Sequence, residues 1–106
     1  STGALQMYNL GGATQLSTSS NVPIGQWTHI AGVKTSSSTA SLYINGTSYA
    51  SGTFTSASAT TNNMYIGSAG TSSDSVVGYI TDFRITKGVA RYTTTFTPPS
   101  IPLKRN

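Results

Sequence analysis

Turn-forming residues recur at short intervals along this chain, and they constrain its fold more than any other feature of the sequence. The turn signals are Gly11-Gly12, Asn21 with Pro23, Gly25, residues 36–38, Asn45-Gly46, Gly52, Asn62-Asn63, residues 67–70, Gly78 and Gly88. No stretch between them keeps the apolar period of about 3.6 residues that marks an amphipathic helix. Short strands separated by such turns are typical of an all-β sandwich or barrel.

Alternation of apolar and polar side chains predicts where the strands lie. We predict strands at 4–9, 13–17, 27–35, 40–45, 47–50, 64–67 and 76–86, with polar loops at 51–61 and 68–75. Asn45-Gly46 is the strongest hairpin signal, because a type I′ turn needs positive φ at both central residues. The last strand is the longest, and one of its faces carries Val77, Tyr79, Thr81, Phe83 and Ile85.

The end of the chain has a different character. We predict one helical turn at residues 87–92, and Pro98, Pro99 and Pro102 favour an extended tail. The sequence therefore suggests a β-sandwich over residues 1–97, followed by a Pro-rich basic tail over residues 98–106.

Charge and cysteine content exclude several classes of protein. The 106 residues contain no Cys, so neither a disulfide framework nor a thiolate metal site can form. Only 8% of the residues are charged, yet no apolar run approaches the ~20 residues that span a bilayer, and we expect no membrane insertion. The net charge of +4 reflects scarce acid rather than a dense basic face, so we expect no nucleic-acid partner.

Three segments carry a resemblance to a known family. They are QWTHIAGV at 26–33, LYING at 42–46 and GYITDFRITKGVARY at 78–92. With these segments the chain resembles the laminin-G-like, concanavalin A-like lectin/glucanase jelly rolls, and more narrowly those of bacteriophage and environmental virus proteins. The resemblance implies an all-β antiparallel jelly-roll sandwich, in which Trp27 packs in the core and His29 belongs to the framework.

The resemblance covers nearly the whole chain but only the later part of the family's domain, so we expect an N-terminally abbreviated jelly roll. A start at Ser1 rather than Met suggests processing or removal of an upstream segment. A shortened sandwich leaves sheet edges and an apolar face open. The missing strands could come from a second copy or from a different chain, or the domain could close on fewer strands. We favour a homo-oligomer.

Two carboxylates are the minimum for the glycosidase chemistry of the glucanases that share this architecture. This chain has only Asp74, in a Ser/Gly loop, and Asp82, on the predicted strand at 76–86. Asp82 is better explained as a structural acid that pairs with Arg84 or Arg91, or that accepts backbone N–H groups. His29 is the only His, and no nucleophile elbow surrounds any Ser, so we expect a protein without catalytic activity.

Calcium is the one metal that the resemblance suggests, because many relatives bind it in loops. A Ca²⁺ site takes six to eight oxygens and normally several carboxylates. Asp74 with Ser72 and Ser73 could supply only a weak site, so we predict no cofactor. The Asn45-Gly46-Thr47 triplet matches a glycosylation sequon, but its hairpin role suffices to explain it.

Glycan recognition fits the composition better, because it needs aromatic platforms and short polar side chains. The candidate glycan-binding residues are Tyr49, Asn62, Asn63, Asp74, Arg91 and Tyr92. Four further aromatic residues, Tyr43, Tyr65, Tyr79 and Phe83, alternate in predicted strands, and we expect them to pack in the core or on the sheet.

Two functional hypotheses follow. The first is a non-catalytic module on the surface of a phage or phage-like virion, a decoration or fibre protein that adheres to glycans through its loops with avidity from many copies. The alternative is a purely structural subunit of a capsid, tail or extracellular filament, with other subunits as partners and no sugar ligand. Both place the protein outside a cell or on a virion.

Overall fold

The computed structural model describes residues 3–8, 14–55, 64–68 and 75–103. Five strands are present in these ranges: β1 (Ala4–Tyr8), β2 (Thr14–Asn21), β3 (Ile30–Lys34), β4 (Thr39–Ile44) and β5 (Thr47–Thr53). They form two antiparallel sheets, a β1-β2 pair and a three-stranded sheet in the order β3-β4-β5. This arrangement confirms the predicted all-β sandwich class. The described part of the chain has no helix that is long and apolar enough to cross a membrane.

The turn between β4 and β5 is the hairpin that the sequence predicts. Ile44 pairs with Thr47, which leaves Asn45 and Gly46 as a two-residue loop. Their φ angles are 49° and 82°, so both residues lie in the left-handed region that a type I′ turn requires. This turn fixes the register of the central hairpin.

The hydrophobic core lies between the two sheets. Its buried members are Leu16, Ala40, Leu42 and Phe54, and Leu5, Met7 and Ala50 pack against them. A Cβ at Gly32 would lie 3.5 Å from the Leu42 side chain and 3.7 Å from Met7, which are ordinary van der Waals separations, so Gly32 lies directly against this layer. Burial of a Leu side chain such as Leu42 contributes about 1.5–3 kcal/mol to folding.

Strand β4 is buried on both faces. Ala40 and Leu42 face the β1-β2 pair, whereas Tyr43 contacts Phe96 of the C-terminal segment on the opposite side. The Ser41 Oγ donates a hydrogen bond to the Ser51 Oγ. Only 1% of the Tyr43 surface is exposed. The neighbouring strand β3 places Ala31 opposite Tyr43 and therefore on the same side.

The predicted long strand at 76–86 is absent, and so is the short strand predicted at 64–67. None of the described ladders includes residues 77–91, and the earlier segment forms only an isolated bridge between Ser68 and Ser75. A strand needs a partner for its backbone groups, and residues 77–91 have none among the described strands. Asp82 also has a φ of 51°, which interrupts an extended conformation.

Three other expectations are wrong. Residues 87–92 form no helical turn, since their backbone is irregular throughout. Trp27 is 70% exposed rather than packed in the core, because β3 begins only at Ile30. Strand β5 continues to Thr53, into the range predicted as a loop, because Gly52 and Thr53 pair with β4.

Candidate functional site

A wide, open cleft of about 1750 Å³ lies beside the three-stranded sheet. One wall is formed by residues 22–36, which include the loop before β3 and β3 itself. The facing wall is formed by residues 76–86 and 88–92, with a contribution from residues 65–67. Residues 76–86 form no strand and do not join the sheet. They line one side of the cleft instead.

Exposed aromatic side chains line this cleft. Trp27 lies in the loop before β3, and Tyr79, on the facing wall, is 89% exposed. Tyr65 and Phe83 also line it and are more than half exposed. The expectation that Tyr65, Tyr79 and Phe83 pack in the core or on a sheet is therefore wrong, whereas the same expectation for Tyr43 is confirmed.

An aromatic cluster lies where the C-terminal segment meets the sheet. Tyr92 and Phe96 stack with their ring centroids 3.6 Å apart and their planes within 7° of parallel. His29 contacts both rings edge-on, with centroid distances of 6.1 Å to Tyr92 and 5.5 Å to Phe96. Tyr43 lies beside the same pair and is 5.4 Å from Phe96. The edge-on and tilted pairs, whose centroids lie 5.4 to 6.1 Å apart, stabilise by about 0.5–1.5 kcal/mol each beyond the area they bury.

Backbone hydrogen bonds hold this cluster to the β4-β5 turn. The His29 N–H donates to Asn45 Oδ1 at 2.9 Å, and the Asn45 N–H donates to the His29 carbonyl at 2.8 Å. The Phe96 N–H donates to the Gly46 carbonyl at 3.0 Å. A Cβ at Gly46 would lie 1.8 Å from the Phe96 carbonyl oxygen, so only glycine permits this approach.

The environment of His29 affects its protonation. Its Nδ1 is buried and has no hydrogen-bond partner among the described residues. Burial lowers the pKa of the imidazole from its ordinary value of 6.5. The folded protein therefore favours neutral His29, in agreement with the framework role that the resemblance implies.

The six predicted glycan-binding residues do not come together in the part of the chain that is described. Arg91 and Tyr92 line the cleft, but the Tyr92 ring is committed to the aromatic cluster. The Arg91 Nε donates to the Thr86 hydroxyl. Tyr49 lies at an irregularity in β5 outside the cleft, and its carbonyl accepts a hydrogen bond from Ser19. Asn62, Asn63 and Asp74 lie outside the described residues.

Trp27 is the cleft residue that the sequence interpretation missed. The signal was present in Pro23 and Gly25, which precede it closely. Gly25 has a φ of 75° and continues the turn, so the chain enters β3 three residues later than the alternation suggests. This delay leaves the indole in a loop.

No group of three or more His, Cys, Asp or Glu residues that could hold a metal ion occurs in the described ranges. Asp82 is exposed on the cleft wall. The other acid of the chain, Asp74, lies outside the described ranges, so the described residues define no distance between the two carboxylates. The predictions about calcium and catalysis stay predictions.

Comparison with known proteins supplies one match. The profile of the concanavalin A-like lectin/glucanases superfamily matches residues 1–91. Comparisons with curated proteins and with solved structures gave no match. The match spans most of the 106 residues and agrees with two antiparallel sheets packed on a common core. The chain therefore belongs to the concanavalin A-like lectin/glucanases superfamily.

Proposed function

We propose that this protein is a non-catalytic carbohydrate-binding module that uses the open cleft. The observation that carries the proposal is the position of Trp27, a large aromatic side chain that is 70% exposed on a cleft wall. Superfamily membership makes carbohydrate a plausible ligand, and the cleft supplies a place for it.

The chemistry of the cleft suits a neutral sugar chain. A sugar ring presents an apolar C–H face that stacks on an indole and hydroxyl groups that need hydrogen-bond partners. Gln26 and Thr28 flank Trp27 on the same wall, and Arg91, whose Nε donates to the Thr86 hydroxyl, lines the facing wall with a guanidinium group that carries five N–H donors. Binding sites typically combine such apolar platforms with a few polar groups.

The absence of catalysis is part of the proposal. The two-carboxylate mechanism of glucanases needs an acid and a nucleophile or base. The whole sequence offers only two acidic side chains, Asp74 and Asp82, and no Glu. Asp82 lies at positive φ on an irregular segment, a poor platform for a group that must be held rigidly.

We place this activity on the surface of a phage or phage-like particle. The support is the resemblance of residues 78–92 and a composition without Cys and with few charges, which folds independently of redox state. An open, shallow cleft gives weak binding at each site, so many copies on one particle are needed for firm adhesion.

A glycan array followed by titration calorimetry with the best soluble hit tests the proposal. Trp27→Ala is expected to weaken binding at least tenfold, because it removes the stacking platform. Ile24→Ala is the matched control, since Ile24 is nearly fully exposed on the same wall but offers no aromatic face. Binding that survives Trp27→Ala unchanged, or no binding to any glycan by the folded protein, would overturn the proposal.

A structural role in an assembly is the second candidate. It is supported by the large apolar side chains that residues 76–89 expose. If the array is negative while the folded protein associates into closed oligomers or filaments, this second function replaces the first.

A further inference from the structure

The exposed apolar side chains of residues 77–89 follow a regular pattern. Most of them occupy odd positions, namely Val77, Tyr79, Phe83, Ile85 and Val89, and each is more than half exposed. In an extended chain, alternate residues point to the same face. In an extended conformation this segment would present these side chains on one continuous apolar face; in the isolated chain the left-handed backbone at Asp82 interrupts that face, and the side chains are exposed.

The same segment has the composition of a β-strand but belongs to no described ladder. Its β-branched and aromatic residues favour a pleated, half-buried surface. No described ladder includes residues 77–91, so pairing of this segment with another chain displaces no described ladder. The kink at Asp82, with a φ of 51°, is a single left-handed residue, a conformation that Asp tolerates and can leave at small cost.

We propose that a second copy of this chain pairs with this segment, antiparallel and symmetric about Phe83. With a two-fold axis at Phe83, a residue a given number of positions after Phe83 in one copy lies opposite the residue the same number of positions before Phe83 in the other copy. Odd-numbered residues therefore lie opposite odd-numbered residues, and the two apolar faces lie on the same side of the new ladder. Thr81 then lies opposite Ile85, and Tyr79 lies opposite Lys87, where the aliphatic stem and ammonium can cover the ring.

Charge complementarity selects this register. With Phe83 at the axis, Asp82 of each copy lies opposite Arg84 of the other, which gives two ion pairs. A slip of two residues in one direction sets Asp82 opposite Asp82, and a slip in the other direction sets Arg84 opposite Arg84. Like charges directly opposite each other destabilise a ladder. A slip of one residue puts the two apolar faces on opposite sides.

The ion pairs also explain how two copies that each carry a net charge of +4 can associate at this surface. Arg84 already has an interaction within its own chain, and the intermolecular pair competes with that interaction. The proposed dimer goes beyond glycan binding and does not depend on it, and because residues 76–86 and 88–92 line the cleft, pairing through them would reshape one cleft wall in each copy.

Disulfide trapping tests the register directly, because the chain has no Cys of its own. Facing residues of an antiparallel pair have Cα atoms about 4.5–5.5 Å apart, within the range that a disulfide spans. Phe83→Cys is therefore expected to form a covalent dimer under mild oxidation. Val77→Cys is the control, since Val77 is fully exposed but would lie about 40 Å along the ladder from its own copy.

Equal trapping of both variants would show random collision, and no trapping of Phe83→Cys at concentrations where the protein dimerises would show another interface. Either result overturns the register. A mixture of Thr81→Cys and Ile85→Cys chains, which leaves Phe83 in place, is expected to give a mixed covalent dimer.

Exchanging the charges at positions 82 and 84 tests whether the ion pairs select the register. Sedimentation equilibrium is expected to show that Asp82→Arg and Arg84→Asp each weaken dimerisation at least tenfold at low salt. The double variant is expected to return to within about threefold of the original protein, because the pairs are restored with reversed polarity. A monomeric original protein at millimolar concentration, or a double variant as weak as the single ones, would overturn the proposal.

Discussion

Strand β4 and the segment at 76–89 are similar in sequence but opposite in environment. Both alternate apolar with small or polar residues. In β4 almost every residue is buried, with Leu42 facing one sheet and Tyr43 facing the C-terminal segment. In the other segment Val77 and Tyr79 are almost completely exposed. The difference shows that an alternating pattern gives a segment two faces but does not provide the partner that covers them.

Truncation of one apolar side chain in each region should produce the largest contrast. Leu42→Ala removes buried core volume and is expected to lower the free energy of unfolding by about 2–5 kcal/mol. Val77→Ala is expected to change it by less than about 0.5 kcal/mol in dilute solution. Urea denaturation measures both. Comparable losses would mean that residues 77–89 are covered even in the isolated chain.

A comparison of Gly46 with Gly25 distinguishes the energetic cost of close packing from the cost of backbone strain. Both have positive φ, 82° and 75°, but a Cβ at Gly46 meets the Phe96 carbonyl, whereas a Cβ at Gly25 meets nothing within 4 Å. Gly25→Ala should cost about 1–2 kcal/mol from the left-handed backbone alone. Gly46→Ala should cost more, because it also displaces the C-terminal segment from the turn. Thermal unfolding in which the two variants melt together would contradict this role for Gly46.

The pH dependence of stability reports on His29 in the aromatic cluster. Because burial holds its pKa below the ordinary 6.5, the unfolded chain binds a proton more readily than the folded one. The free energy of unfolding should therefore be highest above pH 6.5 and fall as the pH drops through and below that value. His29 is the only His, so His29→Gln should flatten the profile between pH 7.5 and 5.5. A slope that persists in this variant would assign the effect elsewhere.

The smallest expected effect on stability belongs to Trp27. A Trp in a core typically costs about 3–5 kcal/mol when replaced by Ala. Since Trp27 is exposed in the cleft, Trp27→Ala should change the free energy of unfolding by about 0.5 kcal/mol or less. Differential scanning calorimetry checks this, and a core-sized loss would remove Trp27 from the proposed glycan site.

Local pattern was enough to predict the elements whose partners are near in sequence. The turn at Asn45-Gly46 and strand β4 agree closely with prediction, and β5 begins where it was predicted although it extends further, because a hairpin is closed by adjacent residues. Strands β1 and β2 were also predicted, although β2 extends further to Asn21. These contacts need only short loops, so turn chemistry and alternation largely specify them.

The candidate site was much harder to predict. Tyr92 was a candidate glycan-binding residue, and its ring stacks on Phe96 beside Tyr43 of β4. Trp27 was expected inside and lies outside, and Tyr49 lies apart from the cleft. Each of these positions depends on where a distant segment lies, which no local pattern encodes.

The sequence by itself determined an all-β chain, its central hairpin and the two faces of β4, because period-two alternation and a turn that needs positive φ are local properties. Only the tertiary structure decided which apolar segments are covered. Phe96 and Tyr92 reach Tyr43, 49 residues away from Tyr92, while residues 77–89 find no strand to join. The physical reason is that burial depends on a non-local partner, and a segment without one exposes its apolar face and lines an open cleft.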